Sequence, residues 1–363
     1  MNDMNREERY SLITRNAAEI ITKPRLKQLL EEKGTLKGYI GVEPSGLFHV
    51  GWMIWASKLK DLVDSGIEMR FFEATWHAQI NDKLNGNLEN IKRCARYLEH
   101  CLNALGVDIK KLKIVDAEEL ISDKDYWGMV LKVSKRLTLA RVKRAMTIMG
   151  RSNRDAATDF SKLIYPAMQV SDIFYQDLDV CLGGMDQRRA HVLAIEVADR
   201  VKMKKPVAVH TPLLSGLSGT GRMETTLSDE DLVDVKMSKS KPETCIFIHD
   251  TAEEVERKIM NAFCPPRQLQ ANPIIEIVKY ILLNREDTTF RIERPKKYGG
   301  TLDFESLDTI LEMYERGDVH PLDLKKATVK ALNSQLESVR RYFDAKPEAR
   351  RLYEDVKRLT VTR

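Results

Sequence analysis

Cysteine is scarce and scattered. Cys94, Cys101, Cys181, Cys245 and Cys264 form no C-x-x-C pair and do not cluster with histidine, which argues against both a disulfide framework and a zinc site. Small buried hydrophobes in a reducing compartment are the expected role. Long apolar runs are also missing. The uncharged stretches Pro44 to Ser57 and Pro206 to Gly221 fall short of the roughly 20 apolar residues that a membrane helix needs, and both contain glycine, so no membrane association is expected. The opening residues MNDMNREERY are charged throughout and lack the apolar core of a secretory signal, which points to a mature cytoplasmic chain. Aromatic residues make up only 7%, and neither sign of charge dominates: 59 Lys and Arg against 54 Asp and Glu leave a formal charge of +5.

What is present is a chain of 363 residues, 43% hydrophobic. That is enough for a sizeable core and, at about 100 to 200 residues per domain, for two domains. Its charge is unevenly placed: Lys132 to Arg154 holds eight Lys and Arg and no Asp or Glu, and Pro321 to Arg363 holds eleven against six. Two separated basic surfaces suit a long polyanion. On charge alone, solvated helix faces explain them equally well.

The segment Glu7 to Lys33 has apolar residues at helical spacing and ends at Gly34, so it reads as a helical lead-in. Short β-rich runs then alternate with amphipathic ones: Gly38–Val42 and Met53–Val63, Met69–Ala74 and Leu88–Leu105, Leu112–Val115, and later Val180–Leu182 and Val207–Val209. This alternation predicts an α/β fold, a Rossmann-type parallel sheet with helices on both faces, whose ligands sit at the carboxyl ends of the strands. A basic helical insert at about 120–164 interrupts it. After Asp250 helical periods dominate (Glu253–Phe263, Pro273–Leu283, Leu302–Arg316, Leu322–Tyr342, Pro347–Leu359), with one β-like run at Thr289–Ile292. The expected domains are therefore 1–249, catalytic, and 250–363, mainly α-helical.

Two segments carry chemistry. Pro44-Ser-Gly-Leu-Phe-His49-Val-Gly51-Trp52 follows the first predicted strand and opens a helix, where free backbone N–H groups favour an anion and Gly51 leaves room for a flat ligand. Lys236-Met237-Ser238-Lys239-Ser240-Lys241 places three lysines and two hydroxyls on a loop, suited to neutralising a leaving pyrophosphate. In this order the pair resembles the H-I-G-H and K-M-S-K-S signatures of class I aminoacyl-tRNA synthetases. The resemblance implies ATP as cosubstrate and an aminoacyl-adenylate as first product. Trp52 stands where the family usually has its second histidine.

Three further segments bear on the amino acid. They are Gly38-Tyr39-Ile40-Gly41-Val42-Glu43, Tyr165-Pro-Ala-Met-Gln169-Val-Ser-Asp172 and Gly183-Gly-Met-Asp186-Gln187-Arg188-Arg189. Tyr165, Gln169 and Asp172 share one helix face. A phenol bound in a pocket must have its hydroxyl paired, which a carboxylate and a second phenol can do. Tyr39 and Asp172 can supply that pair, and Tyr165, Gln169 and Gln187 the ammonium contacts. Such a site rejects phenylalanine, whose missing hydroxyl leaves buried polar groups unpaired.

These segments resemble tyrosyl-tRNA synthetases of the archaeal and eukaryotic type from about Leu12 to at least Lys325. The resemblance implies that Tyr39, Tyr165, Gln169, Asp172 and Gln187 contact L-tyrosine and that His49, Lys236 and Lys239 are catalytic. It implies that Gly41, His49, Gly51, Gly183, Asp186, Met237, Ser238 and Lys239 bind ATP, which enters with Mg²⁺ and without a protein-bound metal. It further implies that Arg144, Arg188 and Arg189 meet the acceptor stem of tRNA(Tyr), that Tyr298, His320 and Asp323 read the anticodon, and that the protein is a homodimer. His320-Pro-Leu-Asp323 also reads as an ordinary helix start with proline in the first turn. At Glu73-Ala-Thr75-Trp76-His77 the family more often reads Ala-Asp-Leu-His-Ala. The rivals are the tryptophan enzyme, which has no need of Tyr39 with Asp172; a catalytically silent RNA-binding paralogue; and a small-cofactor nucleotidyltransferase, which has no use for a helical C-terminal domain.

Overall fold

A six-stranded sheet in the order β1-β6-β5-β2-β3-β4 organises the first half of the chain in this computed structural model, which describes residues 4–149, 159–219, 236–285 and 288–359. The strands β2 (Leu36–Val42), β3 (Ile67–Glu73), β4 (Lys113–Asp116), β5 (Val180–Gly184) and β6 (Val207–Thr211) run parallel. From β2 the chain winds outward through β3 to β4, then returns to lay β5 on the other side of β2. The carboxyl ends of β2 and β5 thus flank the switch point, where a crevice opens in sheets of this kind.

The helices that cover the sheet are anchored by periodic apolar stripes. Helix α5 (Leu88–Ala104) buries Ile91, Cys94, Ala95, Leu98, Cys101 and Leu102, and its N-cap Asn87 accepts a bond from Asn90 N. Each fully buried leucine of this kind contributes about 1.5–3 kcal/mol. The cysteines are all free, and every one but the half-buried Cys264 is buried. At the N-terminal edge of β2 and β5, Asp179 accepts from Lys37 N at 3.0 Å and pairs with Lys33 at 2.5 Å and Lys204 at 2.9 Å, which ties the sheet together away from the crevice.

The opening segment is not one helical lead-in. Helix α1 (Arg6–Thr14) and helix α2 (Lys23–Glu32) are separated by β1 (Glu19–Ile21), which pairs antiparallel with Ala208–His210 of β6. The edge strand satisfies backbone groups that β6 otherwise exposes. Thr22 then caps α2, accepting from Arg25 N, with proline in the first turn, a combination that starts a new helix.

The described residues divide into two compact units: Met1–Gly46, Trp55–Pro212 and Arg351–Arg363 in one, Leu47–Ile54 and Leu213–Arg350 in the other. The expected boundary at 249/250 falls inside the second unit. Residues before it are bound to residues after it: Ser215 N and Oγ both donate to Glu276, Phe263 N donates to Leu217 O, and Lys258 donates to Cys245 O and Asp250.

In the first unit, helices α3 (Met53–Asp64), α4 (Thr75–Ile80), α6 (Ala117–Ile121), α7 (Lys124–Ser134), α8 (Leu139–Ala145), α9 (Phe160–Tyr175) and α10 (Arg188–Val201) complete the layers and the insert. The basic stretch from Lys132 runs to Arg154, beyond the described residues. The second unit holds α11 (Ala252–Met260), α12 (Pro273–Ile277), α13 (Leu307–Arg316), α14 (Pro321–Ala345) and the antiparallel pair β7 (Phe290–Ile292) and β8 (Leu302–Phe304); α15 (Pro347–Lys357) is divided between the units at Arg351. Leu302–Phe304 is therefore strand rather than the first turn of the expected helix, because buried Phe304 pairs with buried Phe290. Among the described residues no helix is long and apolar enough to cross a membrane.

Candidate active site

At the switch point of the first unit, β2 and α9 hold the residues expected to meet an amino acid. Tyr39 lies on β2 and is 1% exposed; Tyr165, Gln169 and Asp172 lie on α9, which is started by Asp159 accepting from Ser161 N. Asp172, also 1% exposed, accepts a 2.8 Å hydrogen bond from Tyr126 Oη of α7, and its other oxygen lies 3.1 Å from His77 Nε2 of α4. Tyr126, which the sequence alone did not point to, is thus a hydrogen-bond partner of Asp172. Burial first, then the Asp172 charge, pushes the Tyr126 phenol far up, so it stays a donor. Burial also lifts Tyr39 well above its ordinary value, with Cys181 and Asp172 adding to the rise and a contact with Gln169 opposing it.

Two turns nearer the start of α9 than Asp172, Tyr165 Oη donates to Glu43 Oε1 at 2.6 Å, just past the end of β2. Asn81, fully buried, donates to both Glu43 oxygens at 3.0 and 3.1 Å and to Met149 O at 2.9 Å. Gln169 Nε2 donates to Gln187 Oε1 at 3.1 Å, and Gln187 Nε2 to Ile148 O at 3.2 Å. Gln169 Oε1 is buried without a partner, an acceptor suited to an incoming ammonium. Gly183 allows β5 to run straight into this corner: a Cβ there would meet Gln187 Cβ at 2.9 Å and His191 Cε1 at 3.0 Å. Asp186 follows in the single turn Met185–Gln187, and Gly41 is the exposed residue of β2.

The departures at 75 and 76 brace the pocket from outside. Thr75 Oγ1 donates to Asp116 at 2.5 Å and Trp76 Nε1 to Glu118 at 3.0 Å. They tie α4 to the end of β4 and the start of α6, so that His77 presents its ring edge-on to Tyr165 at 5.1 Å.

In the second unit the His49 segment pairs with a strand-like partner: Val50 N donates to Ile246 O at 2.9 Å and Ile248 N to Phe48 O at 3.1 Å. His49 is 6% exposed, its Nδ1 has no hydrogen-bond partner, and its ring lies against Gly51, where a Cβ would come within 3.0 Å of Nδ1. Burial, and then the charges of Lys239 and Lys236, hold His49 well below the usual histidine range; the ring is neutral at pH 7. Lys236 bridges to Ser215, Met237 is buried with its N–H on Leu214 O, and Ser238 and Ser240 share a 3.0 Å hydroxyl contact in the following turn. Two ammonium groups beside a neutral imidazole make a site for phosphate oxygens. Val235 and the Gly- and Ser-rich stretch from Thr220 onward lie outside the described residues.

A family model of class I tRNA synthetases (W and Y) matches residues 31–337. The tyrosine–tRNA ligase of Sulfurisphaera tokodaii is 52% identical over 355 residues, 98% of either chain. That of Sulfolobus acidocaldarius is 53% identical over 347 residues, 95% of this chain and 96% of its own. The crystal structure of tyrosyl-tRNA synthetase from Pyrococcus horikoshii complexed with L-tyrosine superposes with a TM-score of 0.89 at 42% identity, covering 97% of this chain and 100% of that one. The chain belongs to the class I tyrosyl-tRNA synthetase family.

Class I synthetases use ATP and a tRNA, and the residues expected to face the tRNA fall in both units. In the first, Arg189 Nη1 donates to Arg144 O and to Thr147 Oγ1, both at 2.9 Å, which ties the end of α8 to the start of α10. Arg188 Nε donates to both oxygens of Glu19 at 2.9 and 3.1 Å. Glu19 also lies 2.9 Å from His210 Nδ1, and His210 Nε2 lies 3.0 Å from His191 Nδ1. The carboxylate fixes the proton on His210 Nδ1, so Nε2 accepts and His191 donates. Burial keeps both rings below their usual range.

In the second unit, Tyr298 is 62% exposed, with Lys297 Nζ 4.8 Å from its ring centre. Arg294 donates to Gly300 O and Asp318 O, joining the Tyr298 turn to the approach to His320. His320 caps α14 by accepting from Leu322 N at 3.1 Å, with Asp323 in the first turn, so the helix-start reading of this motif is fulfilled. Part of the basic tail is spent internally: Lys325 donates to Met260 O, Lys330 to Glu293 and Arg340 to Asp250 O.

Proposed function

We propose that the chain is a tyrosine–tRNA ligase that converts L-tyrosine and ATP into tyrosyl-adenylate and pyrophosphate, then transfers the tyrosyl group to tRNA(Tyr) with release of AMP. The observation that carries the tyrosine assignment is the buried Asp172, one oxygen of which accepts from Tyr126 while the other lies 3.1 Å from His77 Nε2, beside Tyr39. A carboxylate fixed in this way keeps lone-pair capacity for a hydrogen bond from a substrate hydroxyl, which phenylalanine cannot supply.

Tyr165, Gln169 and Gln187 hold the ammonium, for which the partnerless Gln169 Oε1 supplies an acceptor. Orientation does most of the work of activation, since the tyrosine carboxylate attacks the α-phosphate directly. ATP enters as its Mg²⁺ complex. His49, Lys236 and Lys239 stabilise the charge that builds on the phosphates, with Met237 and Ser238 shaping the loop, and Gly41, Gly51, Gly183 and Asp186 accommodate the nucleotide. Arg144, Arg188 and Arg189 receive the acceptor end, and Tyr298, His320 and Asp323 the anticodon. In functional terms, 1–249 carries the catalytic residues, with the insert at about 120–164, and 250–363 the anticodon-binding residues.

The protein works in the cytoplasm as a homodimer, and the dimer is supported by the exposed apolar side chains Trp127, Leu131, Leu139 and Phe160 on the insert helices. Sedimentation at micromolar concentration checks it. Exchange of labelled pyrophosphate into ATP, driven in turn by tyrosine, phenylalanine and tryptophan, tests the activity. Exchange with tyrosine alone is expected; exchange with tryptophan moves the chain to the sister specificity, and none with any amino acid removes the enzyme reading.

A further inference from the structure

The second signature histidine is absent, and what replaces it touches the loop lysine. Lys239 Nζ lies 3.7 Å from the centre of the Trp52 ring. The indole is itself fixed, meeting Phe48 edge-on at 5.3 Å and the His49 ring at 5.2 Å, on a segment paired to residues 246–248.

We propose that Trp52 is a positioning residue that holds the Lys239 ammonium beside His49 before a nucleotide arrives. The inference rests on the adenylation reading above. Tryptophan has the strongest quadrupole of the aromatic side chains and attracts a cation without neutralising it. A carboxylate at the same place would cancel the charge that the phosphates need. A histidine would add a second group able to carry positive charge. The indole therefore keeps Lys239 in place and gives it up when phosphate oxygens, which bind an ammonium more strongly, compete for it. The charge of Lys239 is felt by His49, whose affinity for a proton it lowers.

The test is a double-mutant cycle read by tyrosine-dependent pyrophosphate exchange on the full-length enzyme, with melting temperatures measured in parallel. Trp52→Tyr keeps a π face and is expected to stay within about twofold of the parent in kcat/KM for ATP, whereas Trp52→Leu falls about tenfold, with KM for tyrosine unchanged. In a Lys239→Ala background, Trp52→Leu is expected to cause no further loss, because the contact it removes is already gone. Trp52→Met takes its place in the cycle if the leucine variant does not fold. Additive effects of the two substitutions, or equal losses for Tyr and Leu at position 52, overturn the inference and leave adenylation standing. An unaltered enzyme without exchange overturns both.

Discussion

The pocket around Asp172 and the segment around His49 place their working groups differently. In the pocket, Tyr39, Tyr126, Tyr165, His77 and Asp172 all come from strands or helices and are at most 5% exposed. Near His49, Lys236 sits in a single β-bridge and Lys239 in a turn, both half-buried, and an aromatic face holds one of these cations. Discrimination between two phenyl rings requires atoms that do not move, because an unpaired buried group carries the penalty. Charge delivered to a leaving group requires cations able to change partners during the reaction.

That contrast predicts effects of different kinds. Lys239→Ala is expected to lower kcat for pyrophosphate exchange by about 10²–10³-fold, the range seen when one preorganised charge-stabilising group is removed, with little change in KM for tyrosine. An equal rise in KM for tyrosine would place Lys239 in the amino-acid pocket. Glu19→Gln loosens Arg188 and unsets the His210 tautomer. It is expected to raise KM for tRNA by about three- to tenfold in aminoacylation, as loss of a charge-assisted hydrogen bond implies, while exchange proceeds normally. Slowed exchange would show that the Glu19–His210–His191 chain serves the adenylation step instead.

The smallest effect concerns Glu73, at the end of β3. Burial, then repulsion from Glu99, pushes its carboxyl up to about 8 from 4.5, and one of its oxygens lacks a partner. In the unfolded chain this group releases its proton first, so its contribution to stability is complete below pH 4.5 and is lost as pH rises towards about 8. Glu73→Gln abolishes that loss. Its melting temperature relative to the parent should improve by a few degrees between pH 5 and pH 8; a constant difference would show that Glu73 is ionised throughout.

The two signature segments were readable because their residues are contiguous, and Tyr165, Gln169 and Asp172 because one helix presents them at i, i+4 and i+7. Tyr126, His77, Glu43 and Asn81 were missed as pocket residues. Tyr126 lies on α7, His77 and Asn81 on α4 and at its end, and Glu43 just past β2, and these elements meet only through the fold: Tyr126 reaches Asp172 across 46 residues and Tyr165 reaches Glu43 across 122. The signal available was the carboxylate itself, since a buried Asp172 with two oxygens demands more donors than Tyr39 alone provides. In the fold, the parallel strands were legible from their apolar runs, whereas β1 and β8 were not. Three-residue strands carry no period, and only pairing with β6 or β7 makes them extended.

The central claim is that amino-acid choice resides at Asp172 and charge stabilisation at the signature lysines. It is tested most directly by the ratio of kcat/KM for tyrosine to that for phenylalanine, measured by pyrophosphate exchange in the parent, Asp172→Asn and Lys239→Ala. The account predicts that the ratio collapses in Asp172→Asn and is unchanged in Lys239→Ala, which slows both amino acids alike. A ratio preserved in Asp172→Asn, or altered by Lys239→Ala, would contradict it.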